Sequence, residues 1–117
     1  MKKITLYPFL LLLFFVNVSA ESNERENKLN QLFDQLKISN DFSKATKLEI
    51  KIWNIWSTHP TKKKLTSSLA VGSELMSRGE LDSAYKIFSS IIESEPNWAE
   101  GWNKRATVLY LMGKYLD

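Results

Sequence analysis

Residues 65–117 read LTSSLAVGSELMSRGELDSAYKIFSSIIESEPNWAEGWNKRATVLYLMGKYLD, and the reading of this stretch decides the fold. Shifted by 34 residues, it aligns with itself: Gly79 falls on Gly113, Leu81 on Tyr115, Leu75 on Leu109 and Gly72 on Ala106. Gly79 and Gly113 each follow an apolar helical run. A helix commonly closes there on a left-handed residue, which glycine adopts without steric cost. Gly72, Ala84 and Ala106 are small residues in otherwise bulky helices, as expected where two helix axes approach closely. Leu69, Leu75, Met76, Leu81, Ile87, Phe88, Ile91 and Ile92 supply apolar faces at three- and four-residue spacing. Pro96 stops one helix, and Asn97 with Glu100 reads as a capping box for the next.

These residues resemble the tetratricopeptide repeat, a helix-turn-helix unit whose period is 34 residues. Gly79-Glu80-Leu81-Asp82-Ser83-Ala84 resembles its inter-helix turn, and Phe88 and Pro96 stand where the family carries an aromatic and a proline. Trp102, Ala106, Gly113 and Tyr115 then restart the pattern. The resemblance implies an all-α fold of antiparallel helix pairs stacked as a short α-solenoid, a scaffold that binds many kinds of partner. Carried over position by position, it implies that the first helices line a concave groove. The partner-binding positions are then Ser73, Met76 and Ser77 in one repeat and Asn103, Thr107 and Tyr110 in the next. These mix hydrogen-bonding groups with Met and Tyr, which suits an extended peptide.

Upstream, residues 21–64 read as a helix pair that is either a degenerate copy of the same repeat or a cap, followed by a basic linker. Helices are expected near 24–38 and 42–57, and those of the repeats near 65–78, 81–94 and 98–112. Asn23 with Glu26 reads as a capping box. Asn40 stands where the repeats carry glycine and is expected to form a left-handed cap. Phe33 takes the place of the small Gly72 and Ala106. Trp53 and Trp56, spaced i, i+3, share a helical face and read as core, the alternative being a ligand box or part exposure at a binding surface. Lys62, Lys63 and Lys64 read as a solvated loop or first turn, the alternative being a weak contact to anionic lipid or an acidic partner.

Residues 1–20 differ in composition. Lys2 and Lys3 precede an apolar run from Ile4 to Val16, then Val18 and Ala20 stand before a cleavage position. That is the pattern of a secretory signal peptide, with cleavage expected after Ala20 and a periplasmic or secreted mature chain. The run is short for a membrane span, so the membrane is met only through the leader before cleavage. The formal charge of +3 falls close to neutral once Lys2 and Lys3 leave, so the basic balance does not argue for nucleic acid. The chain has no cysteine, so packing alone must hold an exported fold together.

No catalytic constellation, cofactor motif or metal-ligand spacing is present, and an enzyme is not expected. His59 is the single histidine; with no Cys or acidic pair beside it, it reads as a capped or exposed loop residue. Residues 65–98 form one repeat, and 99–117 begin another that lacks its second helix. The final repeat is therefore expected to be truncated, or its apolar face to be covered by another chain. The leading expectation is an exported, non-catalytic scaffold for a protein or peptide. The alternatives are a structural protein that self-associates through the C-terminal face, or an accessory subunit of an envelope enzyme.

Overall fold

The computed structural model describes residues 7–114, with side chains from Ser22 onward. Among these residues every regular element is a helix: α1 (Tyr7–Lys37), α2 (Phe42–Trp56), α3 (Lys63–Ser77), α4 (Leu81–Ser94) and α5 (Ala99–Leu111). The backbone divides into two compact units, Met1–Ile55 and Trp56–Asp117.

In the first unit, α1 begins far earlier than the Glu24 expected from the sequence. Its backbone runs without a break through Ala20 and Glu21. Neither Gly nor Pro interrupts residues 9–37, and Pro8 sits in the first turn, where a missing N–H costs nothing. Asn23 therefore lies inside a helix and caps nothing, contrary to the capping-box reading. The side chains of residues 7–21, and Lys2 and Lys3 altogether, lie outside the described residues.

The core of this unit is Leu32, Leu48 and Ile52, flanked by Leu29, Leu36 and Ile55. Asp41 caps α2, its Oδ1 accepting from the backbone N–H of Lys44 at 3.0 Å. Asn40 is not left-handed, because no non-glycine described residue has positive φ. The chain turns instead through a Ser39 N–H donated to Leu36 C=O at 3.2 Å. Trp53 and Trp56 are also not core: they remain 48% and 37% exposed. The buried stripe of α2 runs through Leu48, Ile52 and Ile55, and Trp53 lies about 100° around the helix from Ile52.

In the second unit, α3 and α4 form an antiparallel hairpin, and α5 packs on both. Phe88, Ala84 and Val108 have no exposed surface and Ile91 has 2%; Leu65, Leu69 and Trp98 complete the core. The inter-helix turns repeat bond for bond. Gly79 N–H donates to Met76 C=O and Glu80 N–H to Leu75 C=O. Thirty-four residues on, Gly113 N–H donates to Tyr110 C=O and Lys114 N–H to Leu109 C=O. Each is a Schellman closure, with Gly79 at φ 77° and Gly113 at φ 74°. The 34-residue period is thus present as hydrogen bonding as well as residue type. The Leu81–Tyr115 match lies outside the described residues.

Close approach is achieved at three places. A Cβ added at Gly72 would lie 2.5 Å from Cε1 of the buried Phe88 ring. Ala84 is fully enclosed. Gly101 faces Ile91 and Ile92, whose side-chain carbons would stand 3.1 and 3.3 Å from an added Cβ. Gly101 was not legible as a contact, and Ala106, expected to be one, is exposed. With no helix placed against that side of α5 among the described residues, its small side chain faces solvent.

His59 organises the start of α3. Its Nδ1 accepts from the backbone N–H groups of Thr61 (3.2 Å) and Lys62 (2.9 Å), and its own N–H donates to Thr66 Oγ1 (2.9 Å). The imidazole therefore carries its proton on Nε2. The side chain is 8% exposed and meets Trp98 edge-on at 5.0 Å between centroids. The loop reading of His59 holds in its capped form. Nε2 lies 3.8 Å from Glu95 Oε2, which also receives Lys62 Nζ. The hydrogen bond from Lys62 holds the Glu95 carboxyl below the ordinary carboxylate range. Partial desolvation opposes this, and the Coulombic pull of Lys62 adds to it.

A carboxyl whose folded pKa is depressed contributes stability above its unfolded pKa, and that contribution is lost as pH falls through the folded value. Glu95→Gln is therefore expected to flatten the acid limb of the melting-temperature profile below about pH 4.5, the ordinary Glu range, while changing the profile little in shape above it. Unchanged acid limbs in native and variant chains would show that this carboxylate is not coupled to folding.

Candidate functional site

The first helices of the two successive repeats, α3 and α5, touch each other and share α4 behind them. On α3, Ser73 and Met76 are half-buried and Ser77 is exposed; Met76 also packs against the core. On α5, Asn103 and Thr107 are exposed and Tyr110 is 67% exposed. Ser73, Met76 and Ser77 fall within about 100° of one another around α3, and Asn103, Thr107 and Tyr110 do the same around α5. Each trio therefore forms one stripe.

The hydrogen bonding of these side chains decides what they can offer. Ser77 Oγ donates to Glu74 C=O (2.7 Å) and Thr107 Oγ1 to Asn103 C=O (2.9 Å). Both hydroxyl protons are spent on the helix itself, which leaves oxygen lone pairs to accept from a peptide N–H. Asn103 Nδ2 donates at 3.5 Å to Glu100 Oε2, a long bond for an amide donor.

Glu100 was not legible as part of this face. The sequence pairs it with Asn97 as a capping box, but the residue preceding α5 is Trp98, and no side chain caps that end. Glu100 instead lies 6% exposed in the first turn of α5. Its Oε1 sits 3.8 Å from Lys104 Nζ and makes no hydrogen bond. The only sequence signal was an acidic residue in a first turn, which is commonplace.

A second feature surrounds Arg105. Its guanidinium lies 4.9 Å from the centre of the Trp102 ring and 5.9 Å from that of Tyr85, tying α5 to α4. Trp102 Nε1 donates to Pro96 C=O at 2.8 Å, yet the residue is 47% exposed. Trp102, Ala106, Tyr110 and Leu111 together leave much of the outer side of α5 apolar and open. Among the described residues, no three His, Cys, Asp or Glu side chains cluster as metal ligands would. No described helix is long and apolar enough to cross a membrane.

The architecture is that of a helical-repeat chain: five helices, consecutive helices packed in pairs, and two turns with the same closure one period apart. No family model matches the chain, and no solved structure matches it. It is similar to a TPR repeat-containing protein of Rhizobium etli, with 28% identity over 94 residues. That alignment covers 80% of this chain and 46% of the relative, so the chain spans about half the length of the curated relative it matches. Together the similarity and the five-helix architecture fit a tetratricopeptide-repeat protein.

Proposed function

We propose that the protein is a non-catalytic scaffold that binds a protein or peptide partner along α3 and α5, through Ser73, Met76, Ser77, Asn103, Thr107 and Tyr110. The observation that carries this reading is the exposed stripe of Asn103, Thr107 and Tyr110 beside the first helix of the preceding repeat. Similarity to a TPR repeat-containing protein supports an interaction role in general. An extended peptide would donate its N–H groups to the Thr107 and Ser77 oxygens and lay an apolar side chain on Met76 and Tyr110.

Asn103→Ala and Tyr110→Ala are each expected to weaken partner binding by about 1–2 kcal/mol if the stripe holds the hot spot. Both should lower the melting temperature far less than Phe88→Ala does. Paired affinity and melting measurements on the same variants check this. A loss of stability equal to that of Phe88→Ala would make the stripe part of the core and remove the reading.

The leader pattern of residues 1–20 supports export and a periplasmic or extracellular site of action in the cell envelope. Intact-mass measurement of exported protein tests it, since retention of residues 1–20 would contradict cleavage after Ala20. A second reading, self-association, is favoured by the open apolar side of α5 at Trp102, Ala106 and Leu111. Size-exclusion chromatography at several concentrations separates the two. A monomer at all concentrations supports the peptide scaffold, and concentration-dependent growth supports self-association. The role of accessory subunit to an envelope enzyme would appear as co-purification with that enzyme.

A further inference from the structure

We propose that the groove between α3 and α4 is a second binding surface, for an acidic peptide segment that carries one large apolar side chain. The open groove has a volume of about 430 Å³, within the range of clefts that hold small ligands. Leu65, Val71, Ile87 and Ile91 supply its apolar lining, and Lys64 and Lys86 stand one on each helix. Ser68, Ser90 and Ser94 line it as well.

Two observations fix the chemistry of the occupant. The first is charge. Lys64 and Lys86 are exposed, and the ion pairs of the described residues involve His59, Lys62, Arg78 and Lys104 but neither of these lysines. Even Asp82, one turn before Lys86, does not pair with it. Two unneutralised ammonium groups facing one groove from opposite helices complement carboxylates on a partner.

The second is volume. One period beyond Ser68 stands Trp102. Serine thus occupies the place where the next repeat carries an indole, and the space it leaves lies over an apolar floor. Val71 at the same groove remains 52% exposed. A large apolar side chain entering there would cover Val71, Ile87 and Ile91 and bring flanking carboxylates within reach of both lysines.

This surface is separate from the stripe proposed above. Ser68 lies about 140° around α3 from Ser73, so the two faces can be occupied independently, and the inference stands whether or not the other reading does.

The test uses the 117-residue chain and two labelled, end-capped peptides, one with a tryptophan between pairs of glutamates and one with lysines in place of the glutamates. The glutamate peptide is expected to bind with fluorescence anisotropy falling as salt rises, and to shift the amide resonances of Ser68, Val71, Ser90 and Ser94. The double variant K64E/K86E should weaken it by roughly tenfold or more. Ser68→Trp, which fills the groove, should abolish binding without lowering the melting temperature. Should Ser68→Trp fail to fold, the lysine reversals alone decide, since both side chains are exposed. Equal binding of the lysine peptide, resonance shifts confined to Asn103, Thr107 and Tyr110, no binding at all, or unaltered affinity in K64E/K86E would each overturn the proposal. So would binding to anionic phospholipid vesicles with none to the glutamate peptide.

Discussion

Replacing Phe88 by alanine is expected to destabilise the chain by about 3–5 kcal/mol, the cost of emptying a fully buried aromatic site. The ring has no exposed surface and lies at the centre of the cluster formed by Leu65, Leu69, Ala84, Ile91, Trp98 and Val108. Small domains are stable by only about 5–15 kcal/mol in total, so the loss is a large share of what holds α3, α4 and α5 together. Chemical denaturation read by circular dichroism measures it. The same ring explains a coupling that can be checked independently. An added Cβ at Gly72 would sit 2.5 Å from the ring edge, so Gly72→Ala should destabilise the native chain. In a Phe88→Ala background only Ile87 Cγ2, 3.1 Å from the added Cβ, still has to give way, so Gly72→Ala should cost less there than in the native chain, with up to about 1 kcal/mol of helix propensity over glycine in its favour. Additive effects of the two substitutions would show that ring and backbone do not meet.

A second expected result separates two alanines that look alike in the sequence. Ala84→Leu should cost about 1–3 kcal/mol through overpacking, because Ala84, on α4, has no exposed surface. Ala106→Leu should change stability by no more than about 0.5 kcal/mol, the usual effect of a surface substitution. Ala106 is exposed, and leucine is nearly as good a helix former as alanine. Thermal melting of the two variants side by side measures the difference. Equal losses would mean that the outer side of α5 is covered in solution, as self-association through that face requires, and dilution would then lower the melting temperature of the native chain.

The repeat itself was legible because its signals are local. A left-handed helix closure depends on the glycine and the few residues before it, so Gly79 and Gly113 announce the same turn wherever the helices then pack. For the same reason α4 begins and ends where the sequence places it, at Leu81 and Ser94. Apolar spacing likewise marked Phe88 and Ile91 as core, since a helix buries whichever stripe is apolar.

The failures have a common physical origin, because each depends on what stands opposite the residue. Asn40 has the right residue type for a left-handed cap, yet Ser39 closes the turn with Leu36 and Asp41 caps α2, so no left-handed residue is needed. Trp53 and Trp56 share a face, but the stripe that meets Leu32 is that of Leu48 and Ile52. His59 was legible as a capped or exposed loop residue, without its partners. Its role as acceptor for two backbone N–H groups exists because Trp98 and Glu95, nearly forty residues on, wall in the ring. The period, the turns and the apolar stripes belong to the sequence, since each is set by the backbone preferences and periodicity of one segment. Which small residue is a contact, which aromatic is buried and where a groove stays open belong to the tertiary structure, since each is decided by the neighbouring helix that is or is not there.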